Sequence, residues 1–288
     1  MLIDKKFTRT RIAPTPSGYL HLGNALSFAL TAAIARKTGA QILLRIDDLD
    51  RQRVNFAYVQ DVFDTLSFLE IPWDEGPRDV EEYNNEWSQL HRMELYKEAL
   101  QQLADQRELF ACRCSRSQFQ GNSYPGNCIN KSIPLDTPET AWRLYTDDRQ
   151  ISLKTLAGTQ IDCLPEPMKN FVLKKKDRHP AYQLASLVDD LHFGVDLVIR
   201  GHDLYPSTLA QLFLADVLGE QTFNSITFHH HPLLMESTDK KLSKSAGATS
   251  IKYLREQGKT AADIYAEIGK LFQREEQLRG FEDMIQLL

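Results

Sequence analysis

The residues whose types best suit chemistry lie near the start of the chain, in the stretch 11–24. Two prolines and a glycine break a short apolar run there, and an alanine-rich helical pattern begins at Leu22. The free backbone N–H groups and the positive dipole end of a helix N-terminus favour a bound anion. His21 adds a hydrogen-bond donor, and Gly23 lets a ligand approach the backbone closely. The stretch predicts an anion site, although a proline-glycine turn with one surface histidine has the same composition.

A second candidate for phosphate binding lies far along the chain, at 241–247, after a polar turn at 237–239. Its two lysines, two serines and glycine form a loop that can neutralise a polyphosphate. Another basic run covers residues 174–178. Because charge runs are usually solvated surface, neither run establishes a site by itself. The net charge of −5 argues against a protein that coats nucleic acid without specificity.

A metal site is predicted by a group of cysteines in the middle of the chain. Cys112, Cys114 and Cys128 fall within 17 residues, with Tyr124 between them in a polar segment. Outside an oxidising compartment, such a group indicates thiolate ligation of a metal rather than a disulfide. Unrelated free thiols are the alternative, because Cys-x-Cys is a less specific spacing than Cys-x-x-Cys. The position of Cys163 assigns it no role.

The elements that must position these residues begin with a strand, a helix and a strand. Apolar runs at 10–13 and 41–46 flank the helical pattern at 22–38, and the second run ends in the polar segment 47–51. This order starts a doubly wound α/β sheet, whose ligands bind outside the carboxyl ends of the strands. The acidic residues of that segment either contact a substrate or merely solvate a loop.

The rest of the chain continues this alternation of helices and strands. Helical spacing of apolar residues predicts helices over 54–69, 86–106, 181–190 and 207–218, and an amphipathic helical tail over 249–288. Apolar runs predict strands over 141–145, 151–153, 171–174, 195–199 and 225–229. Residues 131–171 read as an insertion between two halves of the sheet.

Length and composition limit the classes of protein to which the chain can belong. The chain has 288 residues, of which 42% are hydrophobic and 25% charged, enough for a sizeable core in one large or two modest domains. No apolar run approaches the roughly 20 residues of a membrane span, and no secretory signal opens the chain. Four cysteines do not make a disulfide framework. We therefore expect a cytoplasmic location and no membrane partner.

Taken together and in this order, the motifs resemble a known family. The stretch 11–24 resembles the H-I-G-H region of class I aminoacyl-tRNA synthetases, and 241–245 resembles their K-M-S-K-S loop. Segments 11–18, 47–50, 73–76 and 198–201 are similar to the glutamyl branch, and the resemblance covers nearly the whole chain. It implies an α/β fold with a Rossmann-like catalytic domain, a zinc-bearing insertion and a small C-terminal helical region.

The C-terminal end narrows the resemblance. Only 43 residues follow Ser245, whereas a full glutamyl-tRNA synthetase carries a large helical anticodon-binding portion there. The chain therefore resembles the glutamyl-queuosine tRNA(Asp) synthetases, truncated paralogues that attach glutamate to the queuosine base of the tRNA(Asp) anticodon. The implied domains are the first catalytic half at 1–105, the zinc-bearing insertion at 106–180, the second half at 181–245 and a helical region at 246–288, without an anticodon-binding domain.

The resemblance also implies ligands and roles. The substrates are ATP, L-glutamate and tRNA(Asp) bearing queuosine, with Zn²⁺ in the insertion and Mg²⁺ beside ATP; DNA is not a partner, and a monomer suffices. Catalytic roles fall to His21 and Lys244. ATP contacts are implied at His21, Gly23, Asn24, His230, Lys241 and Lys244. Glutamate contacts are implied at Arg11, Ala13, Thr15, Asp47, Tyr182 and Arg200. Zinc ligands are implied at Cys112, Cys114, Tyr124 and Cys128.

Two residues depart from the family pattern. Asp47 stands where a longer glutamate is usual, and Asn24 replaces the second histidine of H-I-G-H. An aspartate can still hold an ammonium, and an asparagine can still donate hydrogen bonds. Arg200 favours glutamate over glutamine, because a neutral amide would leave its charge unpaired.

Two other functions fit the same motifs. One is a glutamyl-tRNA synthetase fragment that charges a tRNA 3′ end. The other is a catalytically silent, tRNA-binding paralogue, against which the presence of His21 and Lys244 argues.

Overall fold

The computed structural model describes residues 5–118, 121, 123–237, 240–241, 250–272 and 278–288. The chain forms two compact units, each built from separate stretches of sequence. The first unit comprises Met1–His91, Val195–Asp203 and Phe228–Leu288, and the second comprises Arg92–Gly194 and Leu204–Thr227. None of the helices in the described part of the chain is long and apolar enough to cross a membrane.

Helices and strands alternate through most of both units. The α-helices are α1 (Leu22–Thr38), α2 (Phe56–Phe68), α3 (Val80–Glu82), α4 (Met93–Asp105), α5 (Tyr182–His192), α6 (Tyr205–Leu218), α7 (Gln221–Asn224), α8 (Ile251–Glu256) and α9 (Ala261–Leu271). The strands are β1 (Arg9–Ile12), β2 (Gln41–Leu44), β3 (Leu109–Cys112), β4 (Ala141–Leu144), β5 (Gln150–Thr155), β6 (Gly158–Cys163), β7 (Val172–Lys174), β8 (Leu197–Gly201), β9 (Thr227–His231), β10 (Met235–Ser237) and β11 (Lys240–Lys241).

The first unit is organised around the parallel pair β1 and β2, which α1 connects. In their register Arg11 lies opposite Leu43. Helix α1 is buried along most of its length and ends at Gly39, whose φ of 81° is the left-handed conformation typical of a helix C-cap. The predicted strand–helix–strand start is confirmed, with the helix at its predicted bounds.

Strand β8 enters the same unit beside β1. The Asp196 carboxylate, at the entrance to β8, accepts hydrogen bonds from the backbone N–H groups of Thr8 (2.7 Å) and Arg9 (2.9 Å). The Asp196 N–H donates in turn to the Arg9 carbonyl at 3.0 Å. The two strands therefore start side by side, and β9 follows β8 as its neighbour in a sheet.

The segment 73–76 extends the edge next to β2. Leu44 N–H donates to the Glu75 carbonyl at 2.8 Å. Gly76 follows with a φ of +104°, and a Cβ placed there would lie 2.2 Å from the Leu44 carbonyl oxygen. Only glycine allows this approach, because any side chain would collide with backbone. The motif that resembles the glutamyl branch is therefore part of the scaffold behind β2.

The second unit contains the antiparallel sheet β3–β4–β7 and the antiparallel hairpin β5–β6. Its core includes a buried ion pair, in which the Arg92 Nε lies 2.9 Å from the Asp189 carboxylate. The Tyr96 hydroxyl donates to the same carboxylate at 2.7 Å. Strand β6 has no counterpart among the predicted strands, because all its residues are exposed and it lacks an apolar pattern.

Two helix predictions are wrong in their bounds. The helix predicted over 86–106 begins only at Met93, after a π-helical turn at Tyr83–Trp87 and a 3₁₀ turn at Gln89–Arg92. The amphipathic helical tail predicted over 249–288 is broken within its described residues, which form α8, α9 and a 3₁₀ segment at Phe281–Leu287. Gly258, with a φ of +79°, separates α8 from α9. Apolar spacing does not reveal such breaks, because it continues across them.

Candidate functional site

The carboxyl ends of β1 and β2 bring several of the predicted glutamate contacts to one edge. Arg11 lies within β1 and is buried, and Ala13 and Thr15 follow directly. The two segments that follow β1 and β2 stay hydrogen-bonded to each other, because the Asp47 N–H donates to the Pro14 carbonyl at 2.9 Å. This is the edge where ligands of a doubly wound sheet bind. A site for a free amino acid needs a cation for the carboxylate and an anion for the ammonium. This edge carries one buried side chain of each charge.

Arg45 holds the Asp47 carboxylate in place. Its Nε donates to Oδ1 at 2.7 Å and its Nη2 donates to Oδ2 at 3.2 Å, and both side chains are buried. A two-point pair of this kind sets the plane of a carboxylate as well as its position. Sequence reasoning missed Arg45. The available signal was an arginine in an apolar run, two residues before the aspartate and so on the same face of an extended chain.

Asp48, for which the sequence left a substrate role open, organises the loop instead. It is fully buried and accepts hydrogen bonds from the Tyr83 hydroxyl (2.8 Å), the Ser88 hydroxyl (2.6 Å) and the Gln89 N–H (2.9 Å). Arg51 adds an ion pair at 2.8 Å. These bonds draw 83–89 around the carboxylate, which accounts for the irregular turns before Met93.

We expect Asp48→Ala to lower the free energy of unfolding by about 3 kcal/mol, because it leaves buried donors without an acceptor. Urea unfolding followed by circular dichroism measures this change. Asp50→Ala is the matched control, since Asp50 pairs with the exposed Arg53. Equal stability of Asp48→Ala and the control would contradict the structural role of Asp48.

His21 caps the N-terminus of α1. Its Nδ1 accepts from the Gly23 N–H at 3.1 Å, and the Asn24 Oδ1 accepts from the His21 N–H at 3.0 Å, which completes a capping box. Because Nδ1 acts as an acceptor, the ring proton of a neutral His21 lies on Nε2. His21 can therefore offer an N–H to an anion, and Asn24 supports it through its side-chain oxygen.

The turn that carries His21 is tied to two distant segments of the same unit. Leu20 N–H donates to the buried Asp61 carboxylate at 2.9 Å, and burial raises the pKa of that carboxyl above its usual value. The Leu20 carbonyl accepts from the Ile251 N–H at 2.7 Å, and His21 forms a β-bridge with Ser250. The chain that follows the loop 241–247 therefore returns to the His21 turn.

The two lysines assigned to ATP both belong to the loop 241–247. Lys244 lies outside the described residues. Lys241 belongs to β11, which pairs with β10 in antiparallel register. Their proposed contacts with phosphate remain predictions.

Arg200 and His230 lie in β8 and β9 of the first unit. Arg200 is buried, and its guanidinium lies 5.1 Å from the centre of the Phe228 ring. Burial, assisted by the charge of Arg200, lowers the pKa of His230 to about 3, so this imidazole is neutral at physiological pH. Tyr182, also assigned to glutamate, opens α5 in the second unit and is 39% exposed.

A second histidine of this segment connects β9 to α1. The Nδ1 of His231 lies 2.8 Å from the Pro232 carbonyl, to which it must donate. Its Nε2 therefore accepts from the Ser27 hydroxyl, which is 2.6 Å away. The contact is partly buried and supports the helix behind the His21 turn.

The predicted cysteine site is formed in the second unit. The sulfurs of Cys112, Cys114 and Cys128 lie within 4.8 Å of one another, and those of Cys114 and Cys128 are 3.7 Å apart. A tetrahedral ion with sulfurs at about 2.3 Å would separate them by about 3.8 Å, close to the 3.7 Å between Cys114 and Cys128. Burial and the neighbouring thiols raise the pKa of Cys114 to about 11. A divalent cation would favour loss of these thiol protons.

Tyr124 lies against the three cysteines, and its role as a metal ligand stays a prediction. Its hydroxyl accepts from the Cys128 N–H at 2.9 Å and lies 3.6 Å from the Cys112 sulfur. The Arg143 guanidinium lies 4.0 Å from the centre of the Tyr124 ring and holds it against the cluster. Cys163 is exposed at the end of β6 and stays outside the group.

Comparison with known proteins shows the family to which the chain belongs. The family profile described as "tRNA synthetases class I (E and Q), catalytic domain" matches residues 8–128 and 138–288. A protein of Symbiobacterium thermophilum named "Glutamyl-Q tRNA(Asp) synthetase" is 33% identical, over 91% of this chain and 85% of its own length. Its namesake in Nitratidesulfovibrio vulgaris is 34% identical, over 91% and 86%. A "Glutamate--tRNA ligase" of Anaeromyxobacter sp. is 30% identical, over 95% of this chain but 62% of its own.

Solved structures agree on the fold. A glutamate-tRNA synthetase from Elizabethkingia anophelis superimposes with a TM-score of 0.76 at 22% identity, over 98% of this chain and 65% of that chain. The α/β class I catalytic fold predicted from the motifs is confirmed. The chain belongs to the class I tRNA synthetases of the E and Q type and, within them, to the glutamyl-Q tRNA(Asp) synthetase family, so that it is a ligase.

Proposed function

We propose that the chain activates L-glutamate with ATP and transfers it to the queuosine base of tRNA(Asp). The observation that supports this most is the shared edge of β1 and β2. Buried Arg11 lies in β1, and beyond the end of β2 the carboxylate of Asp47 is held by Arg45 while the Asp47 N–H donates to the Pro14 carbonyl. The choice of queuosine as the acceptor of glutamate is supported by two relatives, both named "Glutamyl-Q tRNA(Asp) synthetase". This chain covers most of the length of each.

The chemistry has two steps. In the first, an oxygen of the glutamate α-carboxylate attacks the α-phosphorus of ATP, and the bond to pyrophosphate breaks. In the second, a queuosine hydroxyl attacks the activated carbonyl and AMP leaves. Both steps ask the protein for positioning and charge stabilisation rather than for a protein nucleophile. Mg²⁺, when bound with ATP, would neutralise phosphate charge.

The proposed roles follow from charge. Arg11 and Arg200 receive the carboxylates of glutamate, and Asp47 receives its ammonium, with the pair to Arg45 keeping that carboxylate oriented. The Nε2–H of His21 donates to a phosphate oxygen at the N-terminus of α1, where the helix dipole adds to the attraction. Lys244 stabilises the pyrophosphate as its charge develops.

We propose Zn²⁺ for the cysteine cluster, held by Cys112, Cys114 and Cys128 with Tyr124 as fourth ligand. Three thiolates select a soft cation, and the spacing of the sulfurs fits tetrahedral coordination. The ion would stabilise the fold around β3 without taking part in the reaction.

The decisive experiment compares tRNA(Asp) with and without queuosine. Incubation with labelled glutamate and ATP should label only the modified tRNA, because the unmodified one lacks the acceptor hydroxyl. Equal labelling of both tRNAs would instead indicate transfer to a 3′ end, the function of the glutamate–tRNA ligases to which the chain is also similar. The absence of both labelling and glutamate-dependent ATP–pyrophosphate exchange would favour the catalytically silent alternative.

A further inference from the structure

A basic turn in the second unit carries charge that the activation chemistry does not use. Residues 174–178 contain four cationic side chains and one acidic residue, Asp177, in a chain whose net charge is −5. The turn lies between β7 and α5. It is next to the cysteine cluster, because the Lys176 Nζ donates to the Arg113 carbonyl at 2.7 Å.

Backbone hydrogen bonds hold this turn. Lys175 N–H donates to the His179 carbonyl at 2.8 Å, and Arg178 N–H donates to the Lys175 carbonyl at 3.0 Å. Arg178 itself has a φ of +71°, in the left-handed region that favours glycine. A charged side chain therefore stands at the one position of the turn where glycine would be less strained.

Two of the lysines are engaged in holding the turn. The Lys174 Nζ lies 3.7 Å from the centre of the Trp142 ring, and burial lowers the pKa of this lysine. The Lys175 Nζ forms an ion pair with Asp177 at 3.1 Å. These side chains stabilise the local structure, and they are poor candidates for an external partner.

The remaining cations of the turn, together with the neighbouring Arg113, carry the rest of the positive charge. Lys176, Arg178 and Arg113 are all exposed. The bond from the Lys176 Nζ to the Arg113 backbone carbonyl uses one of the three ammonium protons and leaves the charge of Lys176 in place. We call these three residues the basic turn surface. Long, exposed cationic side chains on a fixed backbone suit the repeating phosphates of a nucleic acid.

We propose that the basic turn surface contacts the phosphate backbone of the tRNA. This inference rests on the proposed function, which makes a tRNA the acceptor. The contacts would position the RNA without reading its sequence, because phosphates carry no base information. The engaged lysines Lys174 and Lys175 would take no direct part.

The test replaces all three residues, in the variant Arg113→Gln/Lys176→Gln/Arg178→Gln. We expect its affinity for queuosine-bearing tRNA(Asp), measured by filter binding, to fall by roughly tenfold or more, and the salt dependence of log K to flatten by about 2 to 3. Glutamate-dependent ATP–pyrophosphate exchange without tRNA should equal that of the wild type, because none of these residues is assigned to activation. The matched control, Lys97→Gln/Lys154→Gln/Lys259→Gln, removes the same charge from exposed lysines elsewhere.

The outcomes test the basic turn surface separately from the proposed function. Loss of tRNA binding in the first variant alone, with exchange retained, supports the surface. Unchanged binding, an equal loss in the control, or a parallel loss of exchange would overturn it while leaving the proposed function in place. Failure of the wild type itself to bind or label tRNA would overturn the proposed function and this inference with it.

Discussion

Lys244→Ala should lower glutamate-dependent ATP–pyrophosphate exchange by roughly 100-fold or more, because an electrostatic stabiliser of transition-state charge is worth about that much. Lys244 belongs to the loop 241–247, and Ser250, shortly after that loop, bridges to His21. Ser250 thus lies beside the proposed phosphate site. Exchange measured with labelled pyrophosphate, without tRNA, isolates this step from the transfer.

The same preparation should retain its metal content and its thermal midpoint, since the lysine lies far along the chain from the cysteine cluster. Lys259→Ala, at an exposed lysine of the first unit, serves as the matched control and should exchange like the wild type. An exchange rate unaltered by Lys244→Ala would remove this lysine from the mechanism.

Cys128→Ser should remove the metal and destabilise the region around β3. The sulfur of Cys128 lies 3.7 Å from that of Cys114, and its N–H holds the Tyr124 hydroxyl. Loss of a direct ligand should weaken zinc binding by more than the roughly 10–100-fold that outer partners contribute. Metal analysis of protein purified without chelator, together with the thermal midpoint, measures both effects.

Cys163→Ser is the matched control, because Cys163 is exposed and stands apart from the cluster. It should keep the metal content and thermal midpoint of the wild type. Tyr124→Phe distinguishes a fourth ligand from a neighbour, and we expect it to weaken zinc binding without abolishing it. Protein without zinc before any substitution would refute the four-residue site.

Much of this protein was predictable because local patterns are strong. The spacing of apolar residues placed α1 at its bounds, and the alternation of strands and helices indicated an α/β fold. The proximity of Cys112, Cys114, Tyr124 and Cys128 could also be predicted, since the four residues lie close together in the sequence. Strand β6 was not, because an exposed strand carries no apolar signal.

The acidic segment 47–50 shows where sequence reasoning stops. Its residues look alike in the sequence, yet Asp47 pairs with Arg45, Asp48 anchors a turn about 40 residues away, and Asp50 lies near the surface. Their roles depend on partners that the fold brings from other elements.

The sequence by itself determined the order of the main helices and strands, and it predicted an anion site at the His21 turn and the types of the metal ligands. Only the tertiary structure decided that His21 and Asn24 cap α1 together, that Arg45 orients Asp47, and that Lys176 ties the basic turn to the cysteine cluster. The physical reason is range: periodicity and motif spacing act over a few residues, whereas a buried charge is assigned its partner by the packing of distant segments.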